Sequence, residues 1–264
     1  MYDAITTCEE AARAGGEVLL SWRKRFSVRE KGPADLVTDA DLASQEAIRR
    51  LVAGRFPDHA FLGEEGESGL KIALADAQGT PAEWTWVVDP LDGTTNYVHG
   101  LAQYAVSVAL LRHGKPEAGC VYDPVADECY TAQRGCGARL NGEPITGSRQ
   151  TDLAQSLVAV SFPARIDANS RELQDFLAVL PHCQAFRRMG SAALNLCYVA
   201  AGSLDAYWAT STKIWDIAAG ALIVEEAGGA ITSLAGGPVD LAAAKFVAAA
   251  SEPLNRQIVD LLGY

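Results

Sequence analysis

Several features that mark other protein classes are scarce in this chain. The six cysteines, at 8, 120, 129, 136, 183 and 197, include no CxxC spacing, and the four histidines, at 59, 99, 113 and 182, include no HxxxH spacing. Structural zinc sites draw on such spacings, so no zinc site is expected. At 264 residues the chain is far longer than a disulfide scaffold. Its thiols therefore read as reduced, in a cytoplasmic protein. Positive charge is also short: 22 Lys and Arg against 33 Asp and Glu give a net charge of −11 and a pI near 4.8. Nucleic-acid binders carry a basic field, so no nucleic-acid partner is expected. Apolar runs such as Ile217–Val224 are too short to span a bilayer. The opening MYDAITTCEE carries acids where a secretory leader carries bases, so neither leader nor membrane segment is expected. No internal repeat or low-complexity tract interrupts the chain.

What remains is ordinary for a soluble globular enzyme: 49% hydrophobic and 21% charged residues. The length suits one large domain or two closely joined halves, 1–145 and 146–264. Ile5, Cys8, Ala12, Leu19 and Trp22 recur at helical spacing and predict a helix over residues 3–25, with Lys31-Gly32-Pro33 ending that element. Gly15-Gly16 weakens its middle. A second helix follows Thr38 and Asp39, with Ser44, Ala47, Ile48, Leu51 and Val52 on one face. Residues 66–82 read as a polar, mobile loop. Trp84–Val88, Tyr104–Leu111, Gly119–Tyr122 and Cys129–Ala132 read as strands. In the second half, Leu157–Ser161, Ala185–Arg188, Leu204–Trp208, Ala230–Ser233 and Phe246–Ala250 read as strands. Ser191–Ala201, Asp216–Ala227 and Pro253–Leu262 read as helices. Strands and helices mix in both halves, which predicts a layered α/β or α+β fold.

Residues 86–97, WVVDPLDGTTNY, carry the most chemistry. An apolar strand delivers Asp89 to its end. Pro90, lacking an amide hydrogen, stops sheet pairing there. Asp92 returns to the same place three residues later. Gly93 permits close backbone approach to a ligand, and Thr94-Thr95 can open a short helix whose free N–H groups face an anion. Cation ligands beside an anion cradle are what metal-assisted phosphoryl transfer needs. Other acids are ambiguous alone. Glu64 and Glu65 follow an apolar strand but also suit a solvated loop. Asp35-x-x-Thr38-x-x-Asp41 and Asp216 suit helix capping equally well.

Together, WVVDPLDGTTNY, the GEE at 63–65, DLVTDAD at 35–41 and WDIAAGALIVEEAGG at 215–229 resemble the signature regions of the inositol monophosphatase family, in the family's order and spacing. YTAQRGCGARLNGEPI and GSAALNLCYVAAGSLDAYW are similar to its intervening segments. The resemblance implies a layered αβαβα fold, a homodimer, two or three Mg²⁺ ions, lithium sensitivity and a small phosphorylated metabolite as substrate. It implies that Glu64, Asp89 and the Leu91 carbonyl hold a first metal, that Asp89, Asp92 and Asp216 hold a second, and that Glu65 orients water or a weaker third ion. It implies that Asp41 and Thr94 orient and deprotonate the attacking water. Gly93, Thr94 and Thr95 would contact phosphate, and Lys31 and Asp35 match a segment that closes over the site. Gly190, Ser191, Lys213 and Asp216 would touch substrate. One position departs from the inositol-specific pattern: Ala209, six residues before Trp215, stands where those members carry an acid that binds substrate hydroxyls. Inositol 1-phosphate is the default expectation, with histidinol phosphate and fructose 1,6-bisphosphate as alternatives. DGTTNY argues against the adenosine 3′,5′-bisphosphate phosphatases, which read DGTKEF at this point. A regulatory binding role is the alternative from outside enzymology.

Overall fold

The computed structural model describes residues 3–32, 35–65, 82–163 and 165–264, with the backbone alone at 31, 32 and 35. The predicted N-terminal helix is α1, Ala4–Trp22, capped by the Asp3 side chain accepting from Thr6 N–H. It ends well before Lys31. Val28–Gly32 (β1) and Asp35–Thr38 (β2) form an antiparallel hairpin instead. VREKG and DLVT lack the alternation that betrays a half-buried strand, so this hairpin escaped the sequence pattern. The expected loop at 66–82 lies almost wholly outside the described residues.

Helix α2, Asp39–Arg55, packs beside α1, and both cover one face of a seven-stranded sheet. Gly15 and Gly16 do not break α1; they allow its neighbours close. A Cβ at Gly15 would stand 2.8 Å from Ile48 Cδ1 of α2, and one at Gly16 would stand 2.7 Å from the Tyr122 ring. The large sheet runs in the order β3 (Ala60–Gly63), β4 (Trp84–Asp92), β5 (Ala105–Arg112), β6 (Lys115–Asp123), β7 (Glu128–Gln133), β8 (Ala138–Leu140), β9 (Glu143–Pro144). β3 and β4 are parallel and the remaining neighbours antiparallel. Pro90 does not end β4. It falls within a register shift between Asp89 and Asp92, and pairing resumes as Asp92 meets Ala105. A bulge tolerates the missing amide hydrogen and bends the strand.

A short helix α3, Thr94–His99, follows β4. The second sheet has five strands in the order β11 (Ala185–Arg187), β10 (Leu157–Ser161), β12 (Ala206–Ala209), β14 (Phe246–Ala249), β13 (Ala230–Thr232). Helices α5, Ala192–Ala200, and α6, Ile214–Glu226, lie between the two sheets. Val87, Ala109 and Val121 of the large sheet share one apolar cluster with Leu196, Ala219 and Leu222 of these helices and Tyr207 and Ala248 of the small sheet. The small residues of α6 permit this density: a Cβ at Gly220 would stand 2.6 Å from Leu196. Helices α4, Arg171–Val179, and α7, Glu252–Leu262, cover the outer face of the small sheet around Val158, Trp208 and Val247. The layers are therefore αβαβα, each helix layer burying an apolar face that a lone sheet would expose.

Candidate active site

Six chain segments end at one place, and each end contributes a polar group. β4 supplies Asp89 and, beyond its bulge, Asp92, both buried. Leu91 N–H donates to Asp89 Oδ1 at 3.0 Å, so the bulge orients the first acid. Asp92 is gripped from the second half of the chain. The Ser191 hydroxyl and the Ala193 N–H, at 2.7 Å, both donate to its Oδ2 at the start of α5. A carboxylate at a helix N-terminus meets unsatisfied N–H groups and the positive end of the helix dipole. β3 supplies Glu64, whose N–H donates to Val88 O at 3.1 Å, and the buried Glu65. α6 supplies Asp216, half-buried, whose Oδ2 accepts the Lys213 N–H at 2.8 Å.

Asp89 lies within electrostatic reach of Glu64, Asp92 and Asp216. Burial raises Asp89 well above the ordinary carboxylate range, and the charges of Glu64, Asp216 and Asp92 raise it further. Burial likewise pushes Asp216 up to about 8, with Asp92 and Glu64 adding to it. Asp92 rises only to about 6, because Ser191 and the α5 amides oppose its burial. Among the described residues no Lys, Arg or His forms an ion pair with Asp89, Asp92 or Asp216. Nor do any three acid, His or Cys side chains of the described residues already converge on one point as a finished cation shell. The acids face one another instead, and buried carboxylates so placed must share protons or a cation. Oxygen-only donors suit Mg²⁺ or Ca²⁺ and not zinc.

Asp41 lies next to this cluster, completely buried. It is the third residue of α2, and its Oδ2 accepts both the N–H and the hydroxyl of the capping Thr38. Its Oδ1 is left for Thr94, whose hydroxyl stands 3.4 Å away and 3.1 Å from Leu91 O. Burial pushes Asp41 up to about 7, against the Thr38 bonds. Gly93 carries φ 97°, and a Cβ there would stand 2.8 Å from Gln103 O, so only glycine fits this turn. Thr95 and Gly190 are exposed on the wall of a cavity of about 440 Å³ that also touches Asp92 and Asp216.

α2 holds the cluster through Ser44, which the sequence places on a helix face, and through Gln45, which the sequence pattern does not single out. Ser44 donates to Pro90 O at 3.0 Å, inside the β4 bulge. The Gln45 amide grips the Glu65 backbone twice, accepting its N–H at 2.9 Å and donating to its carbonyl at 2.6 Å. Lys213 is exposed and is not among the residues lining the cavity; the cation on that wall is Arg188. Ala209 is wholly buried in the core at the end of β12. The side chains of Lys31 and Asp35 lie outside the described residues.

The sequence profile of the inositol monophosphatase family matches residues 2–262. The chain belongs to the inositol monophosphatase family. Among its relatives, an inositol-1-monophosphatase of Rhizobium meliloti (strain 1021) is 40% identical over 237 residues, 89% of this chain and 84% of the relative. A protein of Vibrio cholerae serotype O1 named Nus factor SuhB is 39% identical over 241 residues, 90% of this chain and 87% of that one. The solved structure of extragenic suppressor protein suhB from Bartonella henselae superposes with a TM-score of 0.89 at 34% identity, covering 98% of this chain and 97% of that one. An IMPase/NADP phosphatase solved with Mg²⁺ and phosphate has a TM-score of 0.81 at 26% identity, covering 94% of this chain and 90% of that one. The αβαβα layering is thus an inositol monophosphatase fold.

Proposed function

We propose that this protein hydrolyses small phosphate monoesters with Mg²⁺ held by Glu64, Asp89, the Leu91 carbonyl, Asp92 and Asp216. The observation that carries this reading is that Glu64, Asp92 and Asp216, from three separate segments, lie near enough to the buried Asp89 for their charges to raise it. The donor set fits a hard divalent cation: it is all oxygen, and among the described residues three of its acids have no protein cation as partner. The Mg²⁺ and phosphate in the related IMPase/NADP phosphatase point the same way. Bound Mg²⁺ supplies Lewis-acid neutralisation of phosphate charge and acidifies nearby water.

The chain's own residues do the remainder. Thr94 orients the attacking water through its hydroxyl, and Asp41 accepts the proton at Oδ1. A base near 7 is matched to that task at neutral pH. Gly93 brings backbone amides close to the phosphate. Ser191 and the start of α5 fix Asp92 so that it cannot swing away from its partners. By the family resemblance the protein works as a homodimer and is inhibited by lithium.

The test is phosphate release from inositol 1-phosphate, histidinol phosphate and fructose 1,6-bisphosphate, with Mg²⁺ and with chelator. Turnover of at least one of them, abolished by chelation, is expected. Metal-independent turnover, or none with any of the three, contradicts the reading. The relatives named Nus factor SuhB favour a second reading, a regulatory protein that binds a partner. A partner that the Asp89→Asn variant still captures, with no turnover in the natural chain, would favour it.

A further inference from the structure

A second cavity, of about 640 Å³, lies away from the acid cluster. The β5–β6 turn, α6, β13 and residues 238–242 line it, and among the described residues it shares no lining residue with the cavity of Asp92 and Asp216. Its volume falls in the range of small-ligand sites, where an apolar wall binds and a few polar groups orient. The apolar wall is Leu111, Ile214, Leu222, Ile231, Val239 and Leu241.

Five charged side chains also line this cavity: Lys115, Glu117, Arg134, Glu225 and Asp240. Three of them are engaged by the protein itself. Arg134 donates from Nε to Pro116 O at 2.7 Å and pairs with Glu225 at 3.5 Å. Asp240 closes its own turn, accepting the Ala242 N–H at 2.9 Å. Lys115 and Glu117 are left over. Among the described residues neither side chain forms an ion pair or a hydrogen bond. Lys115 is exposed, but Glu117 is half-buried, where a carboxylate without a cation is costly. The placement of Glu117 is specific. Leu111 pairs with Pro116 and Leu110 with Ala118, so Glu117 is the extra residue of a bulge with no residue opposite it. A bulge of this kind re-aims a side chain out of the regular pleat. The Glu117 carbonyl is held meanwhile by the Arg134 N–H at 2.9 Å.

We infer that this cavity binds a free apolar amino acid, with its ammonium on Glu117, its carboxylate on Lys115 and its side chain against the apolar wall. The inference goes beyond the hydrolytic reading and stands without it. One anion and one cation, two residues apart and both without protein partners, match a ligand that carries both charges close together. An amine alone leaves Lys115 unmatched and repelled. A carboxylate alone does the same to Glu117. A polar amino acid forfeits the burial that the six aliphatic side chains offer.

Calorimetric titration of the natural chain with L-leucine and with L-phenylalanine tests this. At least one should bind with a Kd of about 1 mM or tighter. The amide of that amino acid keeps the ammonium and loses the carboxylate charge; its N-acetyl derivative does the reverse. Each should bind at least roughly fivefold more weakly, and glycine more weakly still. Lys115→Gln and Glu117→Gln should each cost at least roughly fivefold in affinity for the amino acid, with unchanged melting. Lys213→Gln, outside this cavity, should bind as the natural chain does. No heat from either amino acid up to about 10 mM would overturn the inference. So would equal affinity for the amide or the N-acetyl derivative, or undiminished affinity in either the Lys115 or the Glu117 variant. Each of these results leaves the hydrolytic reading standing, because phosphate release in Mg²⁺ is measured separately.

Discussion

Helices α2 and α6 open alike. In each, an aspartate at the third helical position, Asp41 or Asp216, accepts on Oδ2 the N–H of the residue before the helix, Thr38 or Lys213. The two differ in what meets the remaining oxygen. Asp41 is sealed beneath Thr38 and faces the Thr94 hydroxyl. Asp216 stands half-open at a cavity it shares with Asp92, whose charge raises it. Capping and chemistry are therefore not competing explanations of such an acid. One oxygen fixes the helix start, and that fixation aims the other. The neighbours then decide whether the free oxygen handles a proton or shares a cation.

The comparison is broken most sharply by replacing each acid with its amide, which can still cap through its carbonyl. Asp41→Asn removes a base and should lower kcat by roughly 10²–10⁴, with little change in the Mg²⁺ concentration for half-maximal activity. Asp216→Asn should raise that Mg²⁺ concentration by roughly tenfold or more. Mg²⁺ titrations of both variants check this, and interchange of the two phenotypes would refute the division of labour.

Thr94→Ala should lower kcat by at least roughly tenfold and leave KM nearly unchanged. The loss in stability should stay near 1 kcal/mol or less, the net worth of a hydroxyl bond. Thr94 does not cap α3; Gly93 holds that position, without a side-chain bond. Kinetics and melting of one preparation separate the two effects. A large melting loss with normal turnover would make Thr94 structural.

The third difference is in pH. Asp41 near 7 and Asp216 near 8 both lie above the unfolded carboxylate value of about 3.9. The folded chain thus holds more protons than the unfolded chain between roughly pH 4 and 8, and its stability falls as pH rises through that window. Metal-free protein should melt several degrees lower at pH 8 than at pH 5. Mg²⁺ should raise Tm more at pH 8 than at pH 5, because it replaces the protons of the acid cluster. Asp216→Asn should flatten the metal-free slope and lose the Mg²⁺ effect; Asp41→Asn should flatten part of the slope and keep that effect. A Tm independent of pH in metal-free protein would contradict the raised carboxylates.

Much of this arrangement was legible in the sequence. The acids of DPLDG announce themselves because an apolar strand runs straight into them, and the caps at Thr38 and Asp216 follow local rules. Most helix and strand positions of the second half followed from periodicity and Gly punctuation. What escaped depends on tertiary neighbours. The β1–β2 hairpin is too polar to show a strand pattern. Ser44 looks like part of an ordinary helix face, and Gln45 carries no local signal, until Pro90 and Glu65 are placed against them. Lys213 drew attention by lying beside the WD motif, yet it is exposed.

The central claim is that Glu64, Asp89, Asp92 and Asp216 form a cation site, and direct Mg²⁺ binding tests it most closely. Calorimetric titration of the natural chain and of Asp89→Asn, at pH 7 in two buffers of different ionisation enthalpy, reads both affinity and proton exchange. The natural chain should bind Mg²⁺ and release protons as it does so, because burial and the neighbouring charges raise Asp89 and Asp216 toward the protonated form. Asp89→Asn should remain folded and lose most of that binding. Mg²⁺ uptake by Asp89→Asn with undiminished affinity, or uptake by the natural chain with no proton release, would contradict the account.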